Sequence, residues 1–231
     1  MPAKNRHHQN VDFFRIRSCQ TVRYRLGIIL SVPVLFKKLW EVINMNQNKS
    51  RLSLRCLTEG AIFVAIAQAL SYIKLFELPQ GGAVDLAMLP IFIFCARWGL
   101  GPGILAGFVF GLLQLTLDGA YAWGWQSMLG DYLVAFTVLG LAGLFKGKKN
   151  GFFIGMVVGA FARFLVHYVV GATVWAEYMP EQFFGMTMTS PWFYSLLYNG
   201  SFILINTILC LLVGALLFKP LDKYLRGEDL K

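Results

Sequence analysis

From Leu54 to Phe218 the chain is a succession of apolar runs separated by short polar breaks. Six runs stand out, at Leu54–Leu75, Val84–Trp98, Gly101–Leu117, Gln126–Phe145, Phe152–Trp175 and Phe193–Phe218. Most approach the roughly 20 residues a helix needs to cross a ~30 Å hydrocarbon core, and several sit near the minimum. None alternates apolar and polar positions as a barrel strand does. The pattern predicts an all-α integral membrane protein, a bundle of six transmembrane helices.

Small residues recur inside these runs at helical spacing. Gly99, Gly103, Gly107 and Gly111 form a stripe on the third run, and Gly151, Gly155 and Gly159 repeat it at the start of the fifth. Such stripes let helix backbones approach closely where lipid supplies no hydrophobic force between helices, so they predict packing inside the bundle. Ala61, Ala65 and Ala69 make a similar stripe on the first run. By composition it reads as internal packing, with a smooth face for a partner as the competing reading.

Composition agrees with a multi-pass cell-membrane protein: 57% of residues are hydrophobic and only 14% charged, against about 25% charged in soluble domains. The net charge of +9 is unevenly spread. Residues 1–44 carry eight Lys/Arg against Asp12 and Glu41, so this basic leader holds most of the excess. Its apolar stretch, 26–36, is too short to span a bilayer and has no small-residue cleavage site after it. Met45 then opens a plausible start. Residues 1–44 therefore read as a disordered tail or overextended start, with a surface-lying anchor as the alternative, and 45–231 as the membrane domain. No basic face for nucleic acid is apparent.

Lys/Arg placement sets an expected topology. Lys49, Arg51 and Arg55 precede the first run, and Arg97 lies in the second break. Lys146, Lys148 and Lys149 fill the fourth break, and Lys219, Lys223 and Arg226 follow the sixth run. These places alternate, which predicts both termini in the cytoplasm. The opposite loops hold Glu77, Asp118, Glu177 and Glu181, with Lys74 their one cation.

Ionisable groups within the runs carry the functional signal, because each costs several kcal/mol if left unpaired in hydrocarbon. Asp131, Arg163 and His167 are such groups. On the expected topology Asp131, Tyr132, His167, Trp175, Tyr194 and Asn199 converge near the outer face, with Arg163 deeper. His167 and Gly171 are four apart and Trp175 one further turn on, so the three share a helix face. Tyr194 and Asn199 lie about 140° apart around an ideal helix. One carboxylate, a histidine, aromatic rings and an amide suit a flat, polar, cationic heterocycle held by cation–π attraction and orienting hydrogen bonds. Bland readings compete. Trp123, Trp125, Trp175 and Trp192 fit an interfacial aromatic belt, Asp131 and Arg163 could pair, and His167 and Asn199 could each bond a neighbouring helix.

Catalytic and nucleotide signatures are missing: no serine elbow, HExxH, acidic metal pair or P-loop occurs. The four cysteines, Cys19, Cys56, Cys95 and Cys210, are scattered and read as small hydrophobes rather than disulfides or metal ligands. No cofactor and no enzymatic activity are expected.

The segments DYLVAFTVLGLAGLF, RFLVHYVVGATVWAEY and WFYSLLYNGSFILIN are the most distinctive. With LTEGAIFVAIAQALSYI and GGAVDLAMLPIFIFCARWGLGPG they resemble the thiamine-specific substrate-binding subunits, or S components, of energy-coupling factor transporters, over essentially all of residues 52–218. The resemblance implies a six-helix membrane protein that binds thiamine near its extracellular face. It would hand the vitamin inward with a transmembrane coupling subunit and two ATPase subunits. It also implies ligand contacts from Asp131, Tyr132, His167, Gly171, Trp175, Tyr194 and Asn199, with Trp175 stacking on a thiamine ring. Ala61 and Ala65 would dock the coupling subunit, which favours the partner reading of that stripe. The chain departs from the family pattern twice: Asp131 stands where members carry Glu, and the first outer loop, LPQGGAVD, lacks a Trp, a place Trp123 or Trp125 could fill. Rival expectations are an S component for another vitamin, an enzyme using Asp131 and His167 as acid and base, and a proton-coupled carrier using Arg163, Asp131 and His167.

Overall fold

The computed structural model of the chain describes residues 54–79, 81–117 and 124–230, all within the unit Leu52–Lys231. The leader, residues 1–44, lies outside the described residues, as do Cys19, Asp118 and Trp123.

Six helical segments follow one another. They are α1 (Leu54–Ser71), α2 (Met88–Trp98), α3 (Leu100–Leu117), α4 (Gly124–Phe145), α5 (Gly151–Thr173) and α6 (Pro191–Leu225). All but α2 are long and apolar enough to cross a membrane. α2 has only 11 residues, about 16 Å at 1.5 Å per residue, and the chain enters it through extended backbone at Ala83–Val84. α1 ends at Ser71, short of the expected Leu75, because residues beyond it enter a small hairpin pairing β1 (Phe76–Glu77) with β2 (Ala83–Val84). A second hairpin, β3 (Gln182–Phe183) with β4 (Met186–Thr187), joins α5 to α6.

Local chemistry explains the boundaries. Gly99, at φ 87°, separates α2 from α3, a left-handed conformation that is cheap only for glycine. α6 opens with Ser190 accepting from the Phe193 N–H at 3.2 Å and with Pro191 in its first turn, a favoured start for a helix.

α4 is not uniform. It runs α-helical over Gly124–Ser127, widens to a π-helix over Met128–Val134, returns over Ala135–Thr137 and tightens to 3-10 over Val138–Phe145. From its π stretch to its tightened end, α4 lies against the glycine stripe of α3. A Cβ on Gly107 would sit 2.4 Å from the Phe136 carbonyl oxygen, and one on Gly140 would sit 2.4 Å from the Ile104 nitrogen. The stripe is thus a backbone-to-backbone contact, as its spacing predicts. The α5 stripe does likewise: a Cβ on Gly155 would lie 2.7 Å from the Ala142 carbonyl.

The alanine stripe of α1 behaves differently. Ala61, Ala65 and Ala69 are exposed beside Ile62 and Ile66, while Val64, Ala67 and Gln68 face inward. Internal packing within the described residues is therefore not its role. Cys56, Cys95 and Cys210 are buried, as expected of small apolar side chains.

One buried ion cluster fixes the end of the bundle where α1 begins and α6 ends. Arg97, fully buried, donates from Nε and Nη2 to Glu59 at 2.6 and 3.0 Å and from Nη1 and Nη2 to Asp229 at 2.7 and 2.9 Å. The Tyr224 ring lies 3.8 Å from its guanidinium carbon. Arg55 also bonds Glu59 and Asp229. The sequence placed Arg97 in the short second break; its carboxylate partners come from α1 and from the segment after α6, too remote to be read from spacing.

Candidate functional site

The opposite end of the bundle holds a cavity of about 140 Å³. Its walls come from the ends of α1, α3 and α5, the starts of α4 and α6, and the first hairpin. All seven residues singled out in the sequence, Asp131, Tyr132, His167, Gly171, Trp175, Tyr194 and Asn199, line it, together with Arg163.

Asp131 is the hub. It lies within the π-helical stretch of α4, where an extra residue per turn turns the following side chains relative to a regular helix, a feature frequent at functional sites. Its Oδ1 is 2.9 Å from His167 Nδ1. Its Oδ2 accepts from Trp175 Nε1 at 2.9 Å and from the Ser127 hydroxyl at 2.8 Å. Arg163 donates from Nε to His167 Nε2 at 3.3 Å. With an arginine N–H aimed at Nε2, that nitrogen is the acceptor, so Nδ1 carries the proton and donates to Asp131. The carboxylate is thereby held by three uncharged donors and keeps its full negative charge. Asp131 and Arg163 do not pair directly; His167 stands between them.

Lys74 pairs with Glu77 at 3.0 Å. Arg163 packs its guanidinium 4.3 Å from the centre of the Phe136 ring.

The α5–α6 side is tightly built. The Asn199 amide donates to the His167 carbonyl at 3.2 Å and to the Ser195 hydroxyl at 3.0 Å, and Ser195 donates to the Tyr168 carbonyl at 2.8 Å. The bonding of Asn199 to the neighbouring helix is thus real, and it leaves the residue on the cavity wall. Gly171 allows the approach: a Cβ there would lie 2.5 Å from Ser195 Oγ and 2.8 Å from Asn199 Nδ2. Tyr194 packs edge-on against Phe183 of the second hairpin, with ring centroids 5.4 Å apart. The first hairpin is tied down by the Gly82 N–H, which donates to Tyr198 Oη at 3.0 Å. Asn206 of α6 also clamps that hairpin, accepting from Asp85 N at 3.0 Å and donating to the Ala83 carbonyl at 2.9 Å.

Trp125 is 68% exposed and does not line the cavity. Trp192, 46% exposed, packs its ring edge-on against Tyr168, consistent with a belt residue. Sequence reasoning missed Ser127, Ser195, Tyr198 and Gln114. For Ser127 a signal existed, its position one helical turn before Asp131; the others look like ordinary bundle residues until the helices are assembled. Among the described residues no group of three His, Cys, Asp or Glu side chains is arranged to hold a metal.

Comparison with known proteins converges on one family. The family described as "Thiamine transporter protein (Thia_YuaJ)" matches residues 57–225. The "Thiamine transporter ThiT" of Bacillus subtilis (strain 168) is 32% identical over 199 residues, covering 80% of this chain and 99% of the relative. The protein of the same description from Lacticaseibacillus paracasei is 33% identical over 204 residues, covering 80% and 96%. Among solved structures, ThiT from Listeria monocytogenes is similar with a TM-score of 0.67 at 25% identity, covering 74% of this chain and 97% of that one.

Proposed function

The chain belongs to the thiamine transporter protein family, and on that premise we propose that its cavity captures thiamine as the first step of vitamin uptake. The protein is a multi-pass membrane protein of a transport family and not an enzyme. Its function is that of a substrate-binding membrane subunit, and thiamine is its substrate.

The observation that carries the site assignment is the Asp131 carboxylate, held by His167, Trp175 and Ser127, with no cation bonded to it among the described residues. Thiamine brings a permanently positive thiazolium. In a site shielded from water a carboxylate whose direct partners are all neutral attracts such a ring more strongly than in bulk solvent. Trp175 adds an aromatic face, where cation–π attraction is worth up to ~2 kcal/mol when desolvated. Tyr132, Tyr194, Asn199 and the Gly171 backbone complete the proposed contacts.

The cavity end of the bundle would face the outside of the cell, and the Arg97 end, with both termini, the cytoplasm. Ala61 and Ala65 present a small-residue face without internal neighbours, which suits a close helix contact. In this proposal that face docks the transmembrane coupling subunit, which works with two ATPase subunits to drive inward release. Residues 1–44 form a dispensable basic leader ahead of the transport domain.

The test is a tryptophan-fluorescence titration of the purified chain. Thiamine should quench at submicromolar concentration, and riboflavin and biotin should not. A chain that ignores thiamine, or prefers either other vitamin, overturns the assignment. A second reading, a self-sufficient proton-coupled carrier, has the Arg163–His167–Asp131 chain in its favour. It predicts thiamine accumulation in vesicles containing this chain alone, whereas the proposed subunit accumulates none without its partners.

A further inference from the structure

A buried amide cluster lies between α1 and α3, on a wall of the cavity that the Asp131 network does not reach. Gln68, Ser71 and Gln114 are 7%, 4% and 6% exposed. Ser71 and Gln114 line the cavity and Gln68 stands behind them. Glutamine is costly inside an apolar bundle, and a cluster of this kind is retained at little cost only when its bonding groups are used.

The bonding pattern orients the cluster. Ser71 donates its one hydroxyl proton to the Gln68 backbone carbonyl at 2.8 Å. Its oxygen then accepts from Gln114 Nε2 at 2.8 Å and from Gln68 Nε2 at 3.3 Å. Gln114 Nε2 also donates to Gln68 Oε1 at 3.1 Å. Both N–H groups of Gln114 are thus committed, one to each partner. Turning the amide over would set its carbonyl oxygen against the Gln68 Oε1 with no proton between, and would draw the Ser71 proton away from the Gln68 backbone carbonyl. The carbonyl Oε1 of Gln114 is what the residue has left, and among the described residues nothing donates to it.

We propose that Gln114 is a specificity-determining residue, its side-chain carbonyl accepting a hydrogen bond from an N–H or O–H donor on the bound ligand. This rests on the thiamine reading above. Thiamine has two conventional donors, the exocyclic amine of its pyrimidine and the hydroxyl of its side chain. The wall selects for a ligand carrying one of them. A fixed acceptor discriminates sharply, because a ligand lacking the donor leaves a desolvated carbonyl unpaired. Gln68 is a positioning residue, acting only through the orientation of Gln114.

The experiment measures binding of three compounds to the full chain: thiamine, an analogue with hydrogen in place of the amine, and an analogue with hydrogen in place of the hydroxyl. Gln114→Met should weaken thiamine about tenfold and leave one of the two analogues within about twofold of its affinity for the wild type. Gln68→Met, which changes no cavity-lining side chain, should reproduce the same ligand-selective loss at about threefold; it decides the matter if Gln114→Met fails to fold. Equal losses for all three compounds, or unchanged thiamine binding in the folded variants, overturn the proposal. Should the wild-type chain bind none of the three, the thiamine reading itself fails and takes this proposal with it.

Discussion

Trp175 donates its indole N–H to Asp131 Oδ2 at 2.9 Å, joining residues 44 positions apart on the α4 and α5 sides of the cavity. In the proposed function one side chain would serve two purposes: its nitrogen fixes the carboxylate, and its ring, on the cavity wall, would stack on the ligand. Trp175→Phe keeps a ring and removes the donor. A hydrogen bond to a charged group contributes about 1.5–3 kcal/mol, so thiamine affinity should fall ten- to roughly a hundredfold. Trp175→Ala loses the stacking face as well and should abolish submicromolar binding. Calorimetric titration separates the two.

Charge at Asp131 can be removed at nearly constant volume. Asp131→Asn should weaken thiamine about 100-fold or more, since breaking one side of a shielded charge pair costs several kcal/mol. An analogue with an uncharged ring in place of the thiazolium should lose far less. Equal losses for both would place the role of Asp131 in folding rather than in recognition.

Gly171 sets the distance between α5 and α6. In Gly171→Ala the new methyl meets Ser195 Oγ at 2.5 Å and Asn199 Nδ2 at 2.8 Å, so the helices must separate or the Asn199 bonds must break. Overpacking of this kind costs about 1–3 kcal/mol. The melting temperature in detergent should fall, and added thiamine should restore less of it than in the wild type.

At the far end of the bundle, Arg97 is stabilised by Glu59 and Asp229. Arg97→Lys replaces a planar fork with a point charge that cannot serve both carboxylates. Thermal stability should drop markedly while thiamine affinity in the folded fraction stays unchanged, because Arg97 does not line the cavity. A parallel fall in affinity would mean that the two ends are coupled.

The exposed alanine face gives the reverse pattern. Ala61→Trp or Ala65→Trp should leave stability and thiamine binding of the isolated chain within about twofold, because neither position is packed inside the bundle. Co-purification with the transmembrane coupling subunit should be lost. Retained co-purification places the docking surface elsewhere.

Much of this protein is written locally in its sequence. Hydropathy is a residue-by-residue property, so the apolar runs gave the membrane bundle directly. The four-residue glycine period gave close packing of α3 inside the bundle, because a stripe depends only on neighbours along one helix; that α4 is the partner came from the structure. The cavity residues were also legible as a shortlist, since ionisable and amide groups stand out against an apolar background.

Their partnerships were not. Which donor meets which acceptor depends on how each helix is rotated about its axis, and packing sets that rotation. The π stretch of α4 inserts a register change at Asp131 that no composition pattern announces. Only the assembled bundle could place His167 between Asp131 and Arg163, bury Arg97 between segments from opposite ends of the chain, turn Ala61 and Ala65 outward, and set Gln114 on the cavity wall. Sequence fixes what each helix carries; the distances between helices are non-local, and they decide what those groups do together.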